Sequence, residues 1–176
     1  MGFGKVFIAT SVDGFIARDN GSLDWLPAPL DGEDYGYAAL MDSVDGIIMG
    51  RSTYETVLGF GEWPFSKPVV VLSRTLTAAD VPEALRKSVQ VSNVAPSTLV
   101  ATLREQGWKH AYIDGGQTIR SFIEAGEVSE LTLTRIPILL GSGIPLFGPL
   151  PESIVLRCEY SKHYPNGVIS TRYHAL

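Results

Sequence analysis

Three short stretches of this chain carry anion-binding groups, and each follows an apolar run. In Met49-Gly50-Arg51-Ser52-Thr53-Tyr54-Glu55 a guanidinium and two hydroxyls come just after a glycine. Val71-Leu72-Ser73-Arg74 repeats the pattern of apolar run, hydroxyl and cation. In Tyr112-Ile113-Asp114-Gly115-Gly116-Gln117-Thr118 the apolar run stops at a glycine pair before a helix-like segment. A strand that ends at glycine ahead of a helix leaves bare backbone N–H groups at the positive end of the helix dipole, where a phosphate can sit. Arginine adds charge-assisted hydrogen bonds to such an anion. Each stretch also has a plainer reading: a solvated surface arginine, a hydroxyl that only caps a helix, a tight turn. Together they suggest a phosphate-bearing cofactor lying across several strand ends, as ligands do in open α/β sheets. The usual GxGxxG fingerprint is absent.

The elements that would position these groups alternate along the chain. Residues 6–10, 46–49, 69–72, 89–91 and 110–113 read as buried strands. Residues 34–43, 52–58, 97–106 and 119–125 read as helices, with Ser97 a plausible N-cap for the third. Residues 130–136 alternate and are β-rich. Residues 154–163 and 167–174 flank Asn166-Gly167, a strong hairpin signal. The sum is a single α/β domain over residues 1–176, with a mixed, mainly parallel central sheet, helices on both faces and a C-terminal antiparallel hairpin. The long Gly/Asp/Asn-rich loop after the first strand could be a lid or a plain surface loop, and its Trp25 must pack on something.

Composition narrows the partners. The 176 residues carry a net charge of −5 without a long basic run, which disfavours nucleic acid and anionic membranes. One cysteine, Cys158, permits neither an intrachain disulfide nor a CxxC metal site, and no metal is expected. Its alternation with Leu156 and Tyr160 reads as an inert core thiol. The first residues run directly into a strand-like segment without a signal-peptide stretch, so a cytoplasmic location is expected. The three histidines show no metal-ligand spacing, and His110 reads as a packing residue.

The ordered set of motifs resembles the dihydrofolate reductase superfamily. It comprises Ala9-Thr10-Ser11-Val12-Asp13-Gly14-Phe15-Ile16-Ala17, Trp25, Ile48-Met49-Gly50-Arg51-Ser52-Thr53-Tyr54-Glu55, Val71-Leu72-Ser73-Arg74, Ile113-Asp114-Gly115-Gly116 and Leu131-Thr132-Leu133-Thr134. The C-terminal half, with Pro-Ile-Leu-Leu-Gly-Ser-Gly-Ile-Pro-Leu-Phe at residues 137–147, is closer to the pyrimidine reductase domain of riboflavin biosynthesis, the RibD C-terminal type. The resemblance implies a dihydrofolate reductase-like three-layer fold, NADPH as cofactor, a flat heterocyclic substrate and, by analogy, a homodimer.

By position, the resemblance assigns Gly50, Arg51, Ser52 and Thr53 to the adenosine phosphates of NADPH. It assigns Ser73 and Arg74 to the 2′-phosphate, with Leu72 counted among the cofactor-binding residues. Gly115 and Gly116 fall beside the pyrophosphate, with a cis peptide expected between them, and Asp114, Gln117 and Thr118 are counted with them as cofactor-binding. Ala9 and Ile16 match contacts to the nicotinamide carboxamide. On the substrate side, the family's carboxylate follows the loop tryptophan, Trp25. Asp31 and Asp34 both compete for that role; Asp34 is preferred because it can sit on a helix, and either can instead be a solvated capping acid. Thr134 matches a threonine that contacts the acid. Lys67 stands where an arginine clamps the tail of folate, and lysine cannot reproduce a bidentate carboxylate pair. The reading is an NADPH-dependent reductase of a pyrimidine- or pterin-like heterocycle, similar to 5-amino-6-(5-phosphoribosylamino)uracil reductase. A true dihydrofolate reductase and a non-catalytic nucleotide-binding protein are the alternatives.

Overall fold

The computed structural model describes residues 2–27 and 33–175. In chain order its strands are β1 (Gly4–Thr10), β2 (Phe15–Ala17), β3 (Gly46–Gly50), β4 (Val69–Leu72), β5 (Val89–Ser92), β6 (Ala111–Asp114), β7 (Val128–Arg135), β8 (Ile144–Pro145), β9 (Leu156–His163) and β10 (Ile169–Ala175). Its α-helices are α1 (Tyr37–Asp42), α2 (Arg51–Leu58), α3 (Pro96–Glu105) and α4 (Gly116–Glu124). An eight-stranded sheet runs in the order β5-β4-β3-β6-β1-β7-β10-β9. Neighbours from β5 through β7 are parallel, and β10 and β9 close one edge antiparallel. This is the mixed, mainly parallel sheet expected of the sequence.

Period-two alternation divides the core between the two faces of the sheet. Ile48, Val70 and Ile113 pack against Leu99, Val100 and Leu103 of α3 and Ile119 and Phe122 of α4. On the opposite face Ile47, Met49, Val69, Val71 and Tyr112 meet Leu40 of α1 and Tyr54 of α2. Central strands buried on both faces must be apolar throughout, which is why β3 and β4 read as unbroken hydrophobic runs.

The connections create a crevice. From β3 the chain leaves through α2 toward β4; from the adjacent β6 it leaves through α4 toward β7. Two neighbouring strands whose exits run in opposite directions leave a gap at their carboxyl ends, and in such sheets that gap is where ligands bind.

Several details differ from the sequence reading. A small second sheet pairs β2 with β8, tying the loop after β1 to the segment after β7. Helix α3 starts at Pro96 with Ala95 before it and no side-chain cap, so Ser97 does not cap it. Proline is already preset for the first helical position, and its missing N–H costs nothing there. Cys158 is exposed, because β9 is an edge strand exposed along its whole length. No cis peptide occurs among the described residues, so the bond between Gly115 and Gly116 is trans. Gly115 makes the turn by rotation instead, at φ 87° and ψ 130°, a conformation that L side chains rarely adopt.

Candidate functional site

The crevice is an open cleft of about 1360 Å³. Its floor comes from the ends of β1 and β6, through Phe7, Ile8, Ala9, Tyr112 and Asp114. One wall holds Gly50, Arg51, Ser52 and Thr53 at the start of α2, with Leu72, Ser73 and Arg74 beyond β4. The other holds Gly115, Gly116, Gln117 and Thr118 at the start of α4. Ile16 and Ala17 of β2 and Ile144 of β8 close it from above the sheet. All the residues that the resemblance assigned to the cofactor therefore border one space.

Two helix N-termini meet here. Neither α2 nor α4 has a side-chain cap, so the orphan N–H groups of both first turns remain unclaimed by capping side chains. The two turns pack closely against each other, and at Gly115 the positive φ favours glycine as well. A Cβ on Gly115 would collide with Thr53 Oγ1, one on Gly116 with Ile16 Cδ1, and one on Gly50 would lie 2.8 Å from Thr118 Oγ1. Adjacent N-termini with converging dipoles are suited to a pyrophosphate.

The hydroxyls and cations have distinct roles. Ser73 Oγ accepts from the backbone N–H of Thr75 (3.2 Å) and Leu76 (3.0 Å), which shapes the turn after β4. Arg51 Nε donates to Glu55 Oε1 at 2.6 Å, and its Nη1 donates to Thr75 Oγ1 at 2.8 Å. Arg74 is exposed and, among the described residues, has no hydrogen-bond or ion-pair partner. It is the cation free to receive an anion.

Asp114 is the acid that lines the cleft among the described residues. Its Oδ1 accepts the Gly115 N–H at 2.8 Å. Burial raises its carboxyl above the ordinary range, against the lowering effect of that hydrogen bond and of Tyr112. Burial, with the Asp114 charge behind it, pushes the phenols of Tyr112 and Tyr37 up as well. Tyr112 donates its hydroxyl to the Phe7 carbonyl at 3.3 Å, and its ring meets Tyr37 edge-on.

Among the described residues, those assigned to the catalytic side do not line this cleft. Asp34 is exposed and spends both carboxylate oxygens on backbone, accepting from Gly36 N at 2.9 Å and Ala38 N at 2.8 Å. Those bonds hold its carboxyl below the ordinary range. It acts as a capping acid for α1. Trp25 is buried with Ile136, Tyr164 and Val168 in a separate small cluster. Thr134 is buried on β7 and shares a 3.3 Å hydrogen bond with Ser170 of β10. None of the three lines the cleft. Asp31 lies outside the described residues. Lys67 donates to the Val44 carbonyl, just ahead of β3, and is not part of the lining.

Other lining residues carried little sequence signal. Arg120 donates to the carbonyls of Pro145 (2.7 Å) and Leu146 (3.4 Å), joining α4 to the β8 segment. Its place four residues after Gly116, one turn into a helix, was a usable hint. Phe60, Leu23 and Val94 are exposed apolar groups on the rim, supplied by three separate loops that no local pattern connects.

Comparison with known proteins agrees with this fold. A family model described as RibD C-terminal domain matches residues 3–170. The Bacillus subtilis (strain 168) protein YwjB, itself uncharacterized, is 33% identical over 168 residues, covering 93% of this chain and 92% of that protein. The crystal structure of a candidate riboflavin biosynthesis protein from Shewanella sp. PV-4 superimposes with a TM-score of 0.91 at 42% identity, covering 100% of this chain and 99% of that one. A Thermotoga maritima diaminohydroxyphosphoribosylaminopyrimidine deaminase/5-amino-6-(5-phosphoribosylamino)uracil reductase shares the fold, with a TM-score of 0.76 at 12% identity over 99% of this chain and 57% of its own.

Proposed function

This chain belongs to the RibD C-terminal domain family, and we propose from that premise that it is an NADPH-dependent reductase of a flat pyrimidine- or pterin-like heterocycle, similar to 5-amino-6-(5-phosphoribosylamino)uracil reductase. The observation that carries the reading is the meeting of two uncapped helix N-termini, on adjacent strands, in one cleft beside an unpaired arginine.

The residues present fit the cofactor. The first turns of α2 and α4, with Ser52, Thr53, Gln117 and Thr118, would hold its phosphates, and Arg74 its 2′-phosphate. Ala9 and Ile16 would flank the nicotinamide. When bound, NADPH supplies the hydride. The chain's own part is to orient the two reactants and keep water away, through an apolar surface that includes Ile16, Leu26, Val57 and Phe60. We assign the proton to Asp114 because it is the acid lining the cleft among the described residues, and burial favours its protonated form. A homodimer through the exposed β9 edge belongs to the same reading.

NADPH consumption with a panel of pyrimidines, pterins and flavins tests the proposal. Turnover with at least one member supports it; tight NADPH binding without any turnover favours a binding protein. Dihydrofolate is expected to be a poor substrate, with kcat/KM below the usual enzyme range of about 10⁴–10⁸ M⁻¹s⁻¹. The motivation is that Lys67, the counterpart of the folate-clamping arginine, is engaged by the Val44 carbonyl.

A further inference from the structure

Arg51 faces the cleft with its guanidinium already paired. Glu55, one turn along α2, sits 2.6 Å from its Nε, and both side chains are 49% exposed. Thr75 holds Nη1 from the opposite side. The Asp80 carboxylate also lies within reach of the Arg51 charge. Arg74, on the same wall, has no such partner. The two arginines of this wall are therefore unequal: one is paired in advance and the other is not.

We infer that Glu55, which does not itself line the cleft, is a specificity-determining residue that sets the preference between 2′-phosphorylated and unphosphorylated nicotinamide dinucleotides by competing for Arg51. The inference rests on the cofactor reading above. A 2′-phosphate can reach Arg51 through its remaining Nη donors, but it then shares the guanidinium with the Glu55 carboxylate already held on Nε. If the carboxylate stays in place, it repels the dianion; if it swings into solvent, the phosphate must offset the lost ion pair. Either way the phosphorylated nucleotide loses more affinity, because a free 2′-hydroxyl adds no charge beyond the phosphates that both nucleotides share. Discrimination in the unmodified protein then rests mainly on Arg74, with Arg51 held in reserve.

An exposed ion pair at this spacing is weak, so the effect is modest. Glu55→Gln should tighten NADPH binding about three- to fivefold, and leave NADH within about twofold. Dissociation constants from nucleotide fluorescence titrations give the readout without turnover. The gain should shrink as salt is raised, and it should vanish in Glu55→Gln combined with Arg51→Ala. A Glu55→Gln protein with an unchanged melting temperature and an unchanged or weaker NADPH affinity would overturn the inference and leave Glu55 as a helix staple. So would a gain that survives removal of Arg51. If the unmodified protein binds neither nucleotide, the cofactor reading fails and this inference falls with it, a result readily told apart from a failure of Glu55 alone.

Discussion

The two halves of the predicted site are built differently. The anion-binding half lies at the ends of β3, β4 and β6, and its functional groups follow each strand within a few residues of the same peptide segment. The substrate-side half was to be assembled from Trp25, Asp31 or Asp34, and Thr134, which come from the loop after β1, the stretch ahead of α1 and β7. In the structure Trp25 packs in a small cluster, Asp34 bonds to the backbone at the start of α1, and Thr134 bonds across the sheet to Ser170; none of them lines the cleft. A phosphate site made of backbone N–H groups needs only a strand, a glycine and a helix in sequence. A substrate site made of converging side chains depends on the path of every loop between them.

The largest effect that would sharpen this contrast concerns Asp114. Asp114→Asn keeps an acceptor for the Gly115 N–H but removes the acid, and should lower kcat on a productive heterocycle by about a hundredfold. Because the carboxyl is raised, the protonated form persists to higher pH than in an ordinary aspartate. Activity limited by that acid falls as pH rises through the raised value, and the asparagine variant should lack this limb. An unchanged pH profile would remove Asp114 from the chemistry.

Next comes Gly115→Ala. At φ 87°, and with Thr53 Oγ1 in the path of the new methyl group, the substitution strains the backbone by about 1–3 kcal/mol and spreads the two helix N-termini. NADPH affinity should fall roughly thirtyfold, about 2 kcal/mol. Normal NADPH binding by a folded variant would reduce the glycine pair to an ordinary turn.

The smallest effect is expected at Asp34. Asp34→Asn keeps one acceptor oxygen and loses the other of the two bonds to Gly36 and Ala38, which should cost at most about 1 kcal/mol of stability, with kcat nearly unchanged. Its folded pKa lies below the ordinary value near 3.8, so its stabilising contribution is present above that value and lost as pH falls through the lowered one. Acid denaturation profiles of the two proteins should converge at low pH. A hundredfold fall in kcat would instead return Asp34 to the chemistry and undo the contrast between the halves.

What could be read in the sequence follows the same division. Ile47, Ile48 and Met49 announce a strand buried on both faces, and Gly50 with Arg51 announces where it ends. The β2–β8 pair gave no comparable signal, because Phe15–Ala17 and Ile144–Pro145 are too short for a period to show. Cys158 alternates like a core residue, yet strand order places β9 at the sheet edge, and order is a property of topology rather than of local pattern. The pairing of Arg51 with Glu55 was available from their spacing of four on a helix, whereas Thr75 reaches Arg51 only through the turn that Ser73 shapes.

The central claim is that the cleft between α2 and α4 is an NADPH site, and calorimetric titration of the unmodified protein and of Arg74→Ala with NADPH and NADH tests it most directly. The account predicts one NADPH per chain, bound more tightly than NADH, and an Arg74→Ala protein in which NADPH weakens about tenfold while NADH is unchanged. Equal affinities for the two nucleotides in the unmodified protein, or an NADPH affinity indifferent to Arg74, would contradict it.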